Sequence, residues 1–87
     1  MIYVPIIIAE DYETFRAILR QHIPYAYEKW LKLHAMSHHH YASEGQAICN
    51  VHVNSHQFAR HLKKTGRAAN MDELNIFAVR VVKGEAD

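Results

Sequence analysis

The chain carries one order of signals twice, and that repetition constrains its fold more than any single residue does. Residues 2–35 and 47–82 each read as a short strand, a helix, a tight break and a second helix. Phe15 and Leu19 in the first pass fall where Phe58 and Leu62 fall in the second. Asp11 and Asn54 each sit four residues ahead of those phenylalanines, at an expected helix start. Ile6 and Ile8 correspond to Cys49 and Val51 on the preceding strand. With one extra residue allowed in the second break, Trp30, Leu33 and His34 fall opposite Leu74, Phe77 and Ala78. The predicted fold class is therefore α+β, in the order β-α-α-β-α-α. Two strands joined by a helical crossover are most simply parallel. No segment remains for a separate catalytic module.

A chain of 87 residues is one small domain, and at this size the buried core is thin. A sheet of two strands rarely stands alone. A second copy of the chain is therefore expected to complete the sheet, giving a symmetric homodimer with helices on its faces. Tyr3, Pro5 and Ile7 on the first strand, with Tyr27 and Trp30, are the side chains expected at that contact, because aromatic residues carry much of the energy at subunit contacts. Apolar residues at 49% and charged residues at 22% fit a globular domain. No apolar run reaches the roughly 18 residues that span a bilayer. The start, MIYVPIIIAED, lacks the basic region of a secretion signal. The single cysteine cannot form an internal disulfide. A cytoplasmic location is expected. The net charge of +1 favours no polyanionic partner.

The local signals place the elements. Ile2, Val4, Ile6 and Ile8 share one strand face, and Tyr3, Pro5 and Ile7 share the other, with Pro5 arguing for a sheet edge. Asp11 is the expected N-cap of the first helix, whose apolar stripe is Phe15, Ile18 and Leu19. Pro24 suits the first position of the second helix, and Tyr27, Trp30, Leu31 and His34 follow at helical spacing. That helix is expected to fray within Met36–Gln46, with Gly45 ending the connection. On the second strand, Ala47, Cys49, Val51 and Val53 make the apolar face. Asn54 or Ser55 caps the third helix, with stripe Phe58, Ala59, Leu62 and Thr65, and Gly66 stops it. Asn70 and Glu73 fit a capping box for the fourth, in which Leu74, Phe77, Ala78 and Val81 recur at helical spacing.

Eight histidines are the compositional oddity. Neutral imidazole is the commonest protein ligand for zinc and also suits nickel. His34 and His38 lie four apart on one helix, and with His39, His40, His52 or His56 they are candidate ligands. HExxH and a cysteine pair are both missing, and His34 also lies on the apolar stripe with Trp30. No cofactor is otherwise expected. GxSxG, P-loop and GxGxxG motifs are absent, and Cys49 has no basic neighbour to activate it. An enzymatic role is therefore not expected. His52 between Asn50 and Asn54 is the first place to look for one. Arg60, Lys63, Lys64 and Arg67 form a basic face that can reach phosphates, although lysine and arginine also collect at helix C-termini as dipole partners. The composite expectation is a self-associating or protein-interaction domain. The alternatives are a histidine-based divalent-metal protein and a small nucleic-acid-associated regulator.

Overall fold

The computed structural model describes residues 1–85. Strand β1 covers Ile2–Ile6 and helix α1 Ala9–Leu19, followed by a 3-10 turn at Arg20–His22. Helix α2 covers Tyr27–Ser43, strand β2 Ile48–His52, helix α3 Ser55–Thr65 and helix α4 Met71–Val82. The strands pair in parallel from Ile2 opposite Ile48 to Ile6 opposite His52. No helix among the described residues is long and apolar enough to cross a membrane.

The register divides the sheet into two faces. Pro5, Ile7, Val51 and Val53 are buried, and Tyr3 and Cys49 pack beside them. This face meets the helices. The core is built from Tyr12, Phe15 and Leu19 of α1, Trp30 of α2, Phe58 of α3, and Leu74, Phe77 and Ala78 of α4. Phe58 sits at its centre, with ring centroids 5.9 Å from Phe15 and 5.5 Å from Phe77. The opposite face carries the half-buried Ile2, Val4, Ile6 and Ile48 and the exposed Asn50 and His52.

The helix starts differ in how they are satisfied. Asn54 caps α3, its side-chain oxygen accepting from the His56 and Gln57 N–H groups at 2.9 and 3.2 Å. Gly66 closes that helix in the left-handed region at φ 68°, which glycine adopts without steric cost. Asn70 caps α4 through the Glu73 N–H at 2.8 Å. The other half of the expected capping box is absent, because the Glu73 carboxylate turns inward to His61 instead, at 2.6 Å.

Asp11 does not cap α1. Ile8 holds that position and contributes no side-chain bond. Asp11 reaches across to the other half of the chain, accepting from the Ser55 N–H at 2.8 Å and the Ser55 hydroxyl at 2.5 Å. Asp11 and Asn54 together thus satisfy three of the first N–H groups of α3 that have no partner within the helix. Pro24 lies ahead of α2, not in it, and its carbonyl accepts from the Tyr12 hydroxyl at 2.5 Å. Helix α2 does not fray after Met36 but runs on to Ser43, with Gly45 at φ 75° just beyond. No glycine or proline interrupts the histidine run, so nothing there breaks the hydrogen-bond ladder.

Candidate functional site

The flanking backbone bonds set the phase of the ladder. Ile2 N–H donates to Ala47 O, and Val53 N–H donates to Ile6 O. In a parallel pair the main-chain groups alternate sides along each strand. Ile2, Val4 and Ile6 therefore direct theirs toward β2, while Tyr3 and Pro5 direct theirs to the outer edge of β1. On β2, Ile48, Asn50 and His52 direct theirs outward.

The two outer edges have different surroundings. Just past the end of β1, the Tyr27 hydroxyl of α2 donates to Ile7 O at 2.7 Å. Pro5 has no N–H to offer, so Tyr3 is the only donor on the outer side of this strand. Between β1, α2 and α4 is a groove of about 510 Å³. Its walls include Tyr3, Pro5, Trp30, His34, Tyr41 and Val79. Asn50 and His52 are exposed, and among the described residues the outward N–H groups of Ile48, Asn50 and His52 have no hydrogen-bond partner.

The five side chains expected at a subunit contact lie on the β1 side. Pro5, Ile7 and Trp30 are buried within the chain itself. Tyr27 stacks on Trp30 with centroids 5.8 Å apart, and Tyr3 faces the groove.

The histidines do not converge. Among the described residues no group of three or more His, Cys, Asp or Glu side chains is placed to hold a metal ion. His34 and His38 are neighbours, with ring centroids 5.9 Å apart. His39 is exposed, and His40 reaches Glu44 at 3.2 Å on the surface. His52 borders a separate hollow with Glu10 and Asp11 at the carboxyl ends of the strands. His56 is exposed at the start of α3. His34 is the histidine with a distinctive environment. Its Nε2 is closed off from solvent and has no hydrogen-bond partner. Burial, with a smaller contribution from His38, lowers its pKa below the ordinary histidine value and favours the neutral ring.

The basic residues Arg60, Lys63, Lys64 and Arg67 are exposed on and just beyond α3. Lys63 and Lys64 occupy its last turn, and Arg67 lies 3.6 Å from the buried Glu73 carboxylate.

Two polar features escape a sequence reading. One is the pair of His61 and Glu73, whose side chains are 7% and 5% exposed. The other is Ser55, fully buried under Asp11. The wall of the groove did leave a signal, since Trp30, His34, Ser37 and Tyr41 recur at i, i+4, i+7 and i+11, one face of a helix. Comparison with known protein families, curated proteins and solved structures finds no match to the chain.

Proposed function

We propose that this chain is a self-associating module whose sheet is extended across the outer edge of β2 by a second copy. The observation that supports this reading is the edge at Ile48, Asn50 and His52, whose outward N–H groups have no hydrogen-bond partner among the described residues, set against a β1 edge broken by Pro5. The edge of β2 is self-complementary. A twofold axis through Asn50 pairs Asn50 with its own copy and Ile48 with His52 of the other chain. Each outward residue then exchanges both main-chain bonds with its partner, giving about six in all.

The result is a four-stranded sheet of the order β1-β2-β2-β1, a size that is independently stable where two strands are not. The face carrying Ile2, Val4, Ile6 and Ile48 becomes one apolar strip across both copies. The duplicated strand–helix–helix plan belongs to the same reading, because each unit brings only one strand to the sheet.

Light scattering on a size-exclusion column at tens of micromolar tests it, with Asn50→Pro as the probe. The Asn50 N–H points outward, so proline there removes no bond within the chain. The parent is expected at twice the mass of the chain, and Asn50→Pro at the mass of one chain with unchanged helical circular dichroism. A monomeric parent refutes the reading, and so does an Asn50→Pro variant that stays dimeric.

A further inference from the structure

The groove beside β1 is shaped and lined for a small molecule. Its volume of about 510 Å³ lies within the range of ligand sites in proteins. No aspartate, glutamate, lysine or arginine lines it, although such residues make up 22% of the chain. Tyr3, Trp30 and Tyr41 give it aromatic walls. The one buried side-chain nitrogen or oxygen without a partner among the described residues, His34 Nε2, belongs to a residue of this same wall. Native proteins satisfy the large majority of such atoms, and an exception calls for a missing partner or a functional cause.

We propose that the groove binds a small uncharged aromatic molecule bearing one hydroxyl or amide group, with His34 as its hydrogen-bonding partner. The wall chemistry selects each part of that description. A charged ligand would leave water for a lining with no Asp, Glu, Lys or Arg side chain, where the Met1 amino terminus brings the sole fixed charge, which is costly. A flat aromatic ring gains stacking and edge contacts from the three aromatic walls. A neutral imidazole offers one N–H and one lone pair. Turning the ring about its Cβ–Cγ bond presents a nitrogen to the cavity and gives the orphaned atom a partner. An extended peptide fits less well, because the edge of β1 offers it only the Tyr3 N–H on either side of Pro5.

Amide-detected NMR titration near neutral pH tests this with 2-naphthol and 2-naphthoate, which share a ring system and differ in charge. The expected result is saturable binding of 2-naphthol that shifts the indole N–H of Trp30, the only tryptophan in the chain. Its affinity should exceed that of 2-naphthoate by about tenfold or more. His34→Phe keeps a ring in place and should weaken 2-naphthol binding by roughly five- to tenfold. Ser37→Phe, at an exposed position on the groove side of α2, should block binding without changing the melting temperature. Val79→Phe serves as a second blocking variant. Asn50→Pro should bind 2-naphthol like the parent, which separates this site from self-association. Equal affinity for the two probes overturns the proposal, as does no saturation up to the solubility limit. Groove signals that move with protein concentration alone also overturn it, because a second copy would then be the occupant.

Discussion

Replacing Glu73 with leucine removes one half of a polar pair that the core has closed around. His61 and Glu73 approach to 2.6 Å across α3 and α4, with side chains 7% and 5% exposed. The imidazole packs beside both the Phe58 and Phe77 rings, at centroid distances of 6.4 and 5.2 Å. Without Glu73, the buried His61 Nε2 loses the acceptor it has in the fold. Breaking a buried pair in this way costs about 3 kcal/mol. A chain of 87 residues has a total stability of roughly 4–13 kcal/mol, so the loss is a large part of it and lowers Tm by roughly 12–24 °C. His61→Leu should cost less, about 2 kcal/mol, because the Arg67 guanidinium already lies 3.6 Å from the carboxylate and is free to swing closer. The double variant His61→Leu/Glu73→Leu leaves no orphan, and two leucines fill much of the same space. Its loss should be about 1 kcal/mol, well below the sum of the single losses. Urea unfolding at one fixed protein concentration measures all three, since the proposed self-association would add a mass-action contribution. Losses that simply add would refute the coupling, and a Glu73→Leu cost below about 1 kcal/mol would refute the orphan argument.

Asp11→Ala removes both bonds to Ser55, leaving a fully buried hydroxyl and the first N–H of α3 unpaired. Urea unfolding should show a loss of about 2 kcal/mol, and a loss under 0.5 kcal/mol would deny the link its structural role. His34→Phe removes the orphaned Nε2 and should raise stability by about 1 kcal/mol even as it weakens ligand binding. The same variant carries a pH signature. The folded state holds the His34 pKa below its unfolded value of about 6.5, so the unfolded chain takes up the proton first as pH falls. The His34 contribution to stability is therefore complete above that unfolded value. It is lost as pH drops from there through the lowered folded value, and unfolding of the parent should be more acid-sensitive in that window than unfolding of His34→Phe. Identical pH profiles for the two proteins would rule out His34 as the titrating group.

What the sequence disclosed divides along the range of the interaction. Asn54, Gly66 and Asn70 are legible because each cap acts on N–H or C=O groups within four residues of itself. Asp11 is not legible, because the groups it serves lie 44 residues away. Glu73 shows both cases. Its N–H donates to the local cap, while its carboxylate answers to His61, 12 residues back. The element order β-α-α-β-α-α was visible, but the register between its two halves was not. Aligning Phe15 with Phe58 sets the halves 43 residues apart, whereas β1 and β2 start at residues 2 and 48, and α1 and α3 at 9 and 55, both 46 apart. The difference of three residues is nearly one helical turn, so the two alignments place apolar residues on the same helix face and periodicity cannot choose between them. In the register of the elements, Phe15 stands opposite His61 and Tyr12 opposite Phe58. The buried polar pair thus occupies a position that the first half fills with a phenyl ring.

The same distinction explains why the candidate ligand groove was dispersed in the sequence. Tyr3, Pro5 and Trp30 stood out as apolar and were read as contact residues, while His34 stood out as a ligand type. Each reading followed from residue chemistry alone. What joins them is the groove between β1, α2 and α4, with α2 held to the segment after β1 by the Tyr27 bond to Ile7 O. The Tyr12 bond to Pro24 O likewise anchors the turn that leads into α2. The space enclosed has aromatic walls, no Asp, Glu, Lys or Arg side chain, and one buried nitrogen without a partner among the described residues. The two proposals place self-association at β2 and ligand binding in the groove beside β1, so a substitution at one site should leave the other intact.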